Sequence, residues 1–93
     1  MKVVVLTLRD GREERVPLVN GAVGERSFAV RDDIVSATIP DEATSIGDEA
    51  FNGCSSLVSV TIPEGITAIG AGAFLNCSSL ASVNIPVGVT TIG

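Results

Sequence analysis

Cys54 and Cys77 are the side chains best equipped for covalent chemistry in this sequence, and what they lack is a partner. A thiolate or serine nucleophile needs an activating base, normally His or a perturbed Lys. The chain has no His, and its single lysine, Lys2, stands alone at one end, so Cys54, Cys77 and the pairs Ser55-Ser56 and Ser78-Ser79 have nothing to activate them. Two cysteines also fall short of a zinc ligand set. The carboxylate pairs Asp32-Asp33, Asp41-Glu42 and Asp48-Glu49 read as solvated turn residues rather than as an acid and base held apart in a pocket. A calcium ladder fails as well, because Asp41 would stack over Glu64 but the next residue in register is Val87. No catalytic residue, metal ligand or cofactor site is expected, and the expected class is non-enzymatic. Asn76-Cys77-Ser78 matches a glycosylation sequon by letters, which matters only in a eukaryotic secretory setting.

The spacing of the two cysteines is more informative than their chemistry. Thr44 to Ile66 (TSIGDEAFNGCSSLVSVTIPEGI) and Thr67 to Val89 (TAIGAGAFLNCSSLASVNIPVGV) align at a period of 23 residues with 14 identities. Ile34 to Ala43 fits the last ten positions of the unit, and Thr90 to Gly93 begins another. Shared positions form apolar columns: Ile34/Leu57/Leu80, Ala37/Val60/Val83, Ile39/Ile62/Ile85, Ala43/Ile66/Val89, Ile46/Ile69/Ile92, Ala50/Ala73, Phe51/Phe74 and Cys54/Cys77. Stacking copies at the strand spacing of roughly 4.8 Å buries each column against itself. Truncating Phe74 to Ala is therefore expected to cost about 3–5 kcal/mol. Cysteines in an apolar column are expected to be free and buried. A disulfide is the competing arrangement, which adjacent rungs permit on distance and parallel side-chain directions oppose.

Within each unit Leu57, Val60 and Ile62 frame a short strand, and Pro40, Pro63 and Pro86 mark where it stops. A second, shorter strand at Thr67 to Gly70 ends in the column Gly47, Gly70, Gly93, which suits positive φ or close backbone approach. Asp48 to Asn52 is expected to make a helical turn. The order L-x-x-V-x-I-P-x-x-I-x-x-I-G-x-x-A-F-x-x-C from Leu57 resembles the BspA-like leucine-rich repeat of bacterial and some protozoan surface proteins, over residues 34 to 93. The resemblance implies a mainly β leucine-rich repeat solenoid, with parallel strands stacked at the 23-residue period. It also implies a protein-interaction module for adhesion or host contact, at a cell surface or secreted. A structural module that stacks or self-associates is the alternative.

Residues 1–33 fall outside this pattern. Lys2 to Leu8 and Arg12 to Leu18 flank Asp10-Gly11, a two-residue hairpin signal. If Arg9 pairs with Arg12, then Val3, Val5, Val16 and Leu18 share one face, and a third strand is expected around Ser27 to Arg31. This segment reads as an N-terminal β-hairpin cap on the solenoid of residues 34–93.

Charge narrows the partners. All six basic residues precede Asp32, and the net charge of -5 comes from the acidic residues of the repeats, so phosphate neutralisation and nucleic-acid binding are not expected. The apolar run Val3 to Leu8 ends at Arg9-Asp10, too short for a signal-peptide core or a membrane span. The candidate protein-binding face is the polar side of the strands, Ser36, Thr38, Ser59, Thr61, Ser82 and Asn84. It lacks Trp, Tyr and Arg, the usual hot-spot residues, so its affinity should come from many repeats acting together. Ile85, Val89 and Ile92 complete a rung with no charge after Glu64. Self-association there, most simply as a two-fold dimer, is a further expectation.

Overall fold

The computed structural model describes residues 3–83, 86, 91 and 92. Nine strands occur among them: β1 Val3–Leu8, β2 Glu13–Pro17, β3 Ala22–Val23, β4 Ile34–Thr38, β5 Ser45–Ile46, β6 Ser59–Thr61, β7 Ala68–Ile69, β8 Ser82–Val83 and β9 Thr91–Ile92. They form two sheets, one in the order β2-β1-β4-β6-β8 and the other β3-β5-β7-β9. Pairing from β4 to β8 and throughout the second sheet is parallel, while β1 is antiparallel to both β2 and β4. Each pass of the chain thus contributes one strand to each sheet, and the apolar columns lie between them.

The columns explain the strands. Ile34, Ala37, Ile39, Leu57, Val60 and Ile62 are buried from the first sheet, and Val23, Ile46 and Ile69 from the second. Ile34 and Ala37 both point inward although three residues apart, which strict alternation does not allow. The strand accommodates this with a bulge: Leu8 pairs with Ile34 and Thr7 with Ser36, so Val35 has no partner in β1. After each strand a proline carbonyl closes a turn, accepting from Ala43 N (3.0 Å) at Pro40 and from Ile66 N (3.2 Å) at Pro63.

A third run of backbone bonds joins the coils where no strand forms. Arg26, Phe28 and Val30 donate to the carbonyls of Asp48, Ala50 and Asn52, and Glu49, Phe51 and Gly53 donate to those of Ala71, Ala73 and Leu75. Residues 48–52 form successive tight turns rather than the expected helical one: Ala50 N and Asn52 N donate back to Gly47 O (3.3 Å) and Glu49 O (3.1 Å), the alternate amides of Glu49 and Phe51 cross to the next coil, and Glu49 lies at φ 56°. Ala50, Phe51 and Ala73 are buried behind these turns, and Phe51 stacks on Phe74 with ring centroids 5.5 Å apart and tilts against Phe28 at 5.1 Å.

This geometry puts two positions of every coil in the left-handed region: Arg26, Glu49 and Gly72 at φ of 54°, 56° and 65°, and Val30, Gly53 and Asn76 at 59°, 79° and 62°. A β-branched residue is the poorest choice there. Val30 is 73% exposed, so little packing offsets the strain. Val30→Gly is expected to raise stability by about 1 kcal/mol, the left-handed penalty less the extra chain entropy of glycine. A urea midpoint unchanged or lowered would contradict the strain.

Two expectations for residues 1–33 are corrected. The hairpin loop is Arg9-Asp10-Gly11, closed by Leu8 N to Arg12 O (2.9 Å) and Gly11 N to Leu8 O (2.9 Å), with Gly11 at φ 88°. A three-residue loop shifts the register by one and reverses which β1 residues face inward. Val4 and Leu6 are buried and Val16, Leu18 and Leu8 pack beside them, whereas Val3 and Val5 face outward. Ser27 to Arg31 is not a strand either; it is the first copy of the third-side turn, placing Phe28 at the end of the phenylalanine column.

Candidate functional site

The strand register sets the polar positions in rows. Ser36 pairs with Ser59 and Ser59 with Ser82, while Thr38 pairs with Thr61. Ser36 and Ser59 are half-buried between neighbours, and Thr38 and Thr61 are exposed. Asn84 lies outside the described residues, as do Ile85 and Val89; Ile92 is placed only as the β9 partner of Ile69.

The hairpin widens this face, which the sequence reading missed. Thr7 pairs with both Ser36 and Glu13, and Val5 with both Thr38 and Arg15. One row therefore runs Glu13, Thr7, Ser36, Ser59, Ser82, and the next Arg15, Val5, Thr38, Thr61. The surface is uncharged over the coils and ends at an exposed Arg15–Glu13 pair (3.2 Å) on β2. Arg15 supplies a residue type favoured at interface hot spots, and the apolar Val5 stands beside it. The signal was the preceding Arg9 with Gly11, a three-residue loop in place of the two-residue one.

Opposite this face, at its N-terminal rim, Arg31 occupies the position that cysteine holds in the later coils. Its guanidinium reaches both oxygens of Glu14 on β2 (3.0 and 3.2 Å) and both of Asp33 (2.7 and 3.1 Å). These hydrogen bonds hold the Asp33 carboxyl below the usual carboxylate range. A depressed folded-state value adds stability above about pH 4 that disappears as pH falls through it. Arg31→Gln is expected to lose about 1 kcal/mol at neutral pH, since the pairs remain partly solvated. The gap to the parent should close towards pH 2, and a gap of constant size would rule out this linkage.

Cys54 is buried and Cys77 half-buried, and both are free. Each thiol donates to the phenylalanine carbonyl of the preceding coil, Cys54 to Phe28 (3.0 Å) and Cys77 to Phe51 (3.1 Å). Burial pushes the Cys54 thiol up to about 11 and raises Cys77 in the same direction. Little thiolate exists at neutral pH, so neither is built as a nucleophile. In native buffer a maleimide should label Cys77 first and Cys54 slowly, with both reacting at once in denaturant. A non-reducing mass two protons low would establish a disulfide instead.

Among the described residues, no three His, Cys, Asp or Glu side chains gather where they could hold a metal, and no helix is long and apolar enough to cross a membrane.

The model of the BspA-type leucine-rich repeat region matches residues 21–93. No curated protein matches the chain. Among solved structures it is similar to a leucine-rich repeat protein of T. pallidum, with 32% identity and a TM-score of 0.76 over 84% of this chain. It spans 36% of that protein's length. It is also similar to a leucine-rich repeat protein from Bacteroides capillosus, with 28% identity and a TM-score of 0.58 over 95% of this chain and 70% of the other.

Proposed function

The chain belongs to the BspA-type leucine-rich repeat family, and on that premise we propose that the outer face of its five-stranded sheet is a non-enzymatic protein-binding surface, used in adhesion or host contact at a cell surface or after secretion. The observation that carries this is the registered alignment of Thr7, Ser36 and Ser59, and of Val5, Thr38 and Thr61, into one surface that among the described residues is free of charge apart from its Arg15–Glu13 edge. Uncharged rows desolvate cheaply, and hydroxyls can donate or accept, which suits a broad, low-affinity contact.

The supporting architecture is an N-terminal hairpin cap within residues 1–33 on a solenoid of residues 34–93, repeating every 23 residues. Registered pairs Ser36–Ser59–Ser82 and Ser45–Ala68–Thr91 support the period. The antiparallel seat of β1 against β4 and the Glu14–Arg31 pairing support the cap. In that cap, residues from Ala22 onward already contribute to the second sheet.

Because one copy binds weakly, the test uses many: beads densely coated with the chain, applied to an epithelial monolayer, with free chain as competitor. Retention that excess free chain abolishes supports the proposal. Beads washing off like albumin-coated ones would overturn it. Self-association involving Ile85, Val89 and Ile92 is the alternative, favoured by the absence of charge after Glu64. Light scattering of the parent against Val89→Lys separates it, since only a real apolar contact would be lost on adding the charge.

A further inference from the structure

We propose that Asn20-Gly21 is a self-modifying site, at which the chain rearranges its own backbone with water as the only co-reactant. An asparagine followed by glycine can cyclise when the glycine nitrogen is free to reach the side-chain carbonyl carbon. Three Asx-Gly steps occur in the chain, at Asp10-Gly11, Asn20-Gly21 and Asn52-Gly53, and the fold treats their glycine amides differently. Gly11 N is bonded to Leu8 O (2.9 Å) and Gly53 N to Leu75 O (2.8 Å). Gly21 N has no protein acceptor among the described residues, because the turn that holds it is closed by its neighbours, Val19 N to Ala22 O (2.8 Å) and Ala22 N to Val19 O (2.9 Å).

The side chains differ in the same sense. Asn20 is exposed, whereas Asn52 is half-buried and its amide nitrogen lies 3.5 Å from Glu49 Oε2. Asn20 at φ 51° and Gly21 at φ 76° form a two-residue turn whose closing bonds do not use the Gly21 amide. In the reaction the Gly21 nitrogen gives its proton to solvent and bonds to Asn20 Cγ. The Cγ–Nδ2 bond breaks as the side-chain nitrogen takes a proton from solvent and leaves as ammonia, and a five-membered imide results. Water then opens the imide at one of its two carbonyls. One opening gives aspartate; the other routes the main chain through the β-carbon and lengthens it by one methylene. The balance is one water consumed and one ammonia released.

The rearranged bond sits at a structural junction. Gly21 O accepts from Thr44 N (2.8 Å) and Thr44 Oγ1 (3.3 Å), where β3 enters the second sheet beside β5. A lengthened backbone there displaces that carbonyl, and the new carboxylate arises in a depression shared with Glu42. Modification should therefore loosen β3 from β5.

The experiment incubates the intact chain at pH 8.5 and 37 °C, then maps proteolytic peptides by mass and by isoaspartyl methyltransferase labelling, with a parallel sample in urea. Expected is the mass gain of one deamidation, with methyl acceptance, on the peptide ending at Arg26, and none at Asn52 over the same period. In urea the two sites should react alike, because the difference lies in the fold. Aged protein should melt earlier than an equally incubated Asn20→Ser variant. An unmodified Asn20 in the native chain, or equal modification at Asn52, would overturn the assignment.

Discussion

Phe51→Ala is expected to cost at least the 3–5 kcal/mol typical of large core truncations, and to leave little folded protein. Phe51 is fully buried and its ring lies between Phe28 and Phe74, so removing it opens a cavity and unstacks both neighbours. Aromatic pairs contribute about 0.5–1.5 kcal/mol beyond their area, and two pairs are lost together. Collapse cannot fill the gap, because the coil spacing is fixed by Phe51 N to Ala73 O (2.8 Å) and Phe28 N to Ala50 O (2.8 Å). Phe74 is only half-buried, so its truncation should fall below the 3–5 kcal/mol expected from the sequence columns. Urea midpoints for both variants check this; a larger loss at Phe74 would contradict the central position of Phe51.

Gly47→Ala is the second large effect. A β-carbon at Gly47 would meet Glu25 N at 2.7 Å, Val23 O at 2.8 Å and Gly24 C at 2.9 Å, all backbone atoms of the preceding coil. No rotamer relieves a clash with main chain, so the coils must separate and Gly47 N to Val23 O (2.8 Å) must lengthen. Overpacking usually costs about 1–3 kcal/mol, and an immovable neighbour places this substitution at or above that upper end. Gly70 repeats the geometry against Asp48 and Gly47, so Gly70→Ala should behave alike, whereas Gly65→Ala, whose nearest atoms are 3.4 Å away, should be mild. Thermal melts of the three variants decide it: comparable losses at Gly65 and Gly47 would mean that close approach is not what the glycine column supplies.

The repeats were legible because each inward residue recurs in register, and Gly47 and Gly70 betrayed close approach by recurring where no side chain fits. What escaped was the first coil. Val23, Gly24 and Phe28 occupy the Ile, Gly and Phe positions of the unit, but Ser27 replaces its Ala and Arg31 its Cys, which hid the match. Arg31 stands there because its neighbour is the hairpin's Glu14 rather than another apolar coil. The hairpin register was illegible for a different reason: β1 reads Val-Val-Val-Leu-Thr-Leu, apolar on both faces, so a one-residue slip leaves no mark in its pattern. That slip decided which side chains join the candidate face, replacing an inward Val5 with an outward one beside Arg15.

The outer face of the five-stranded sheet as the binding surface is tested most directly by charging each side of the coil in turn. Thr38→Glu/Thr61→Glu places two carboxylates on the proposed face, and Thr44→Glu/Thr67→Glu places two on exposed positions leading into the second sheet. Both variants change the net charge equally, so repulsion from a cell surface affects them alike. With melting points matched, bead retention on the monolayer should fall to background for the first variant and stay near the parent for the second. Retention lost only in the second, or unchanged in the first, would contradict the assignment.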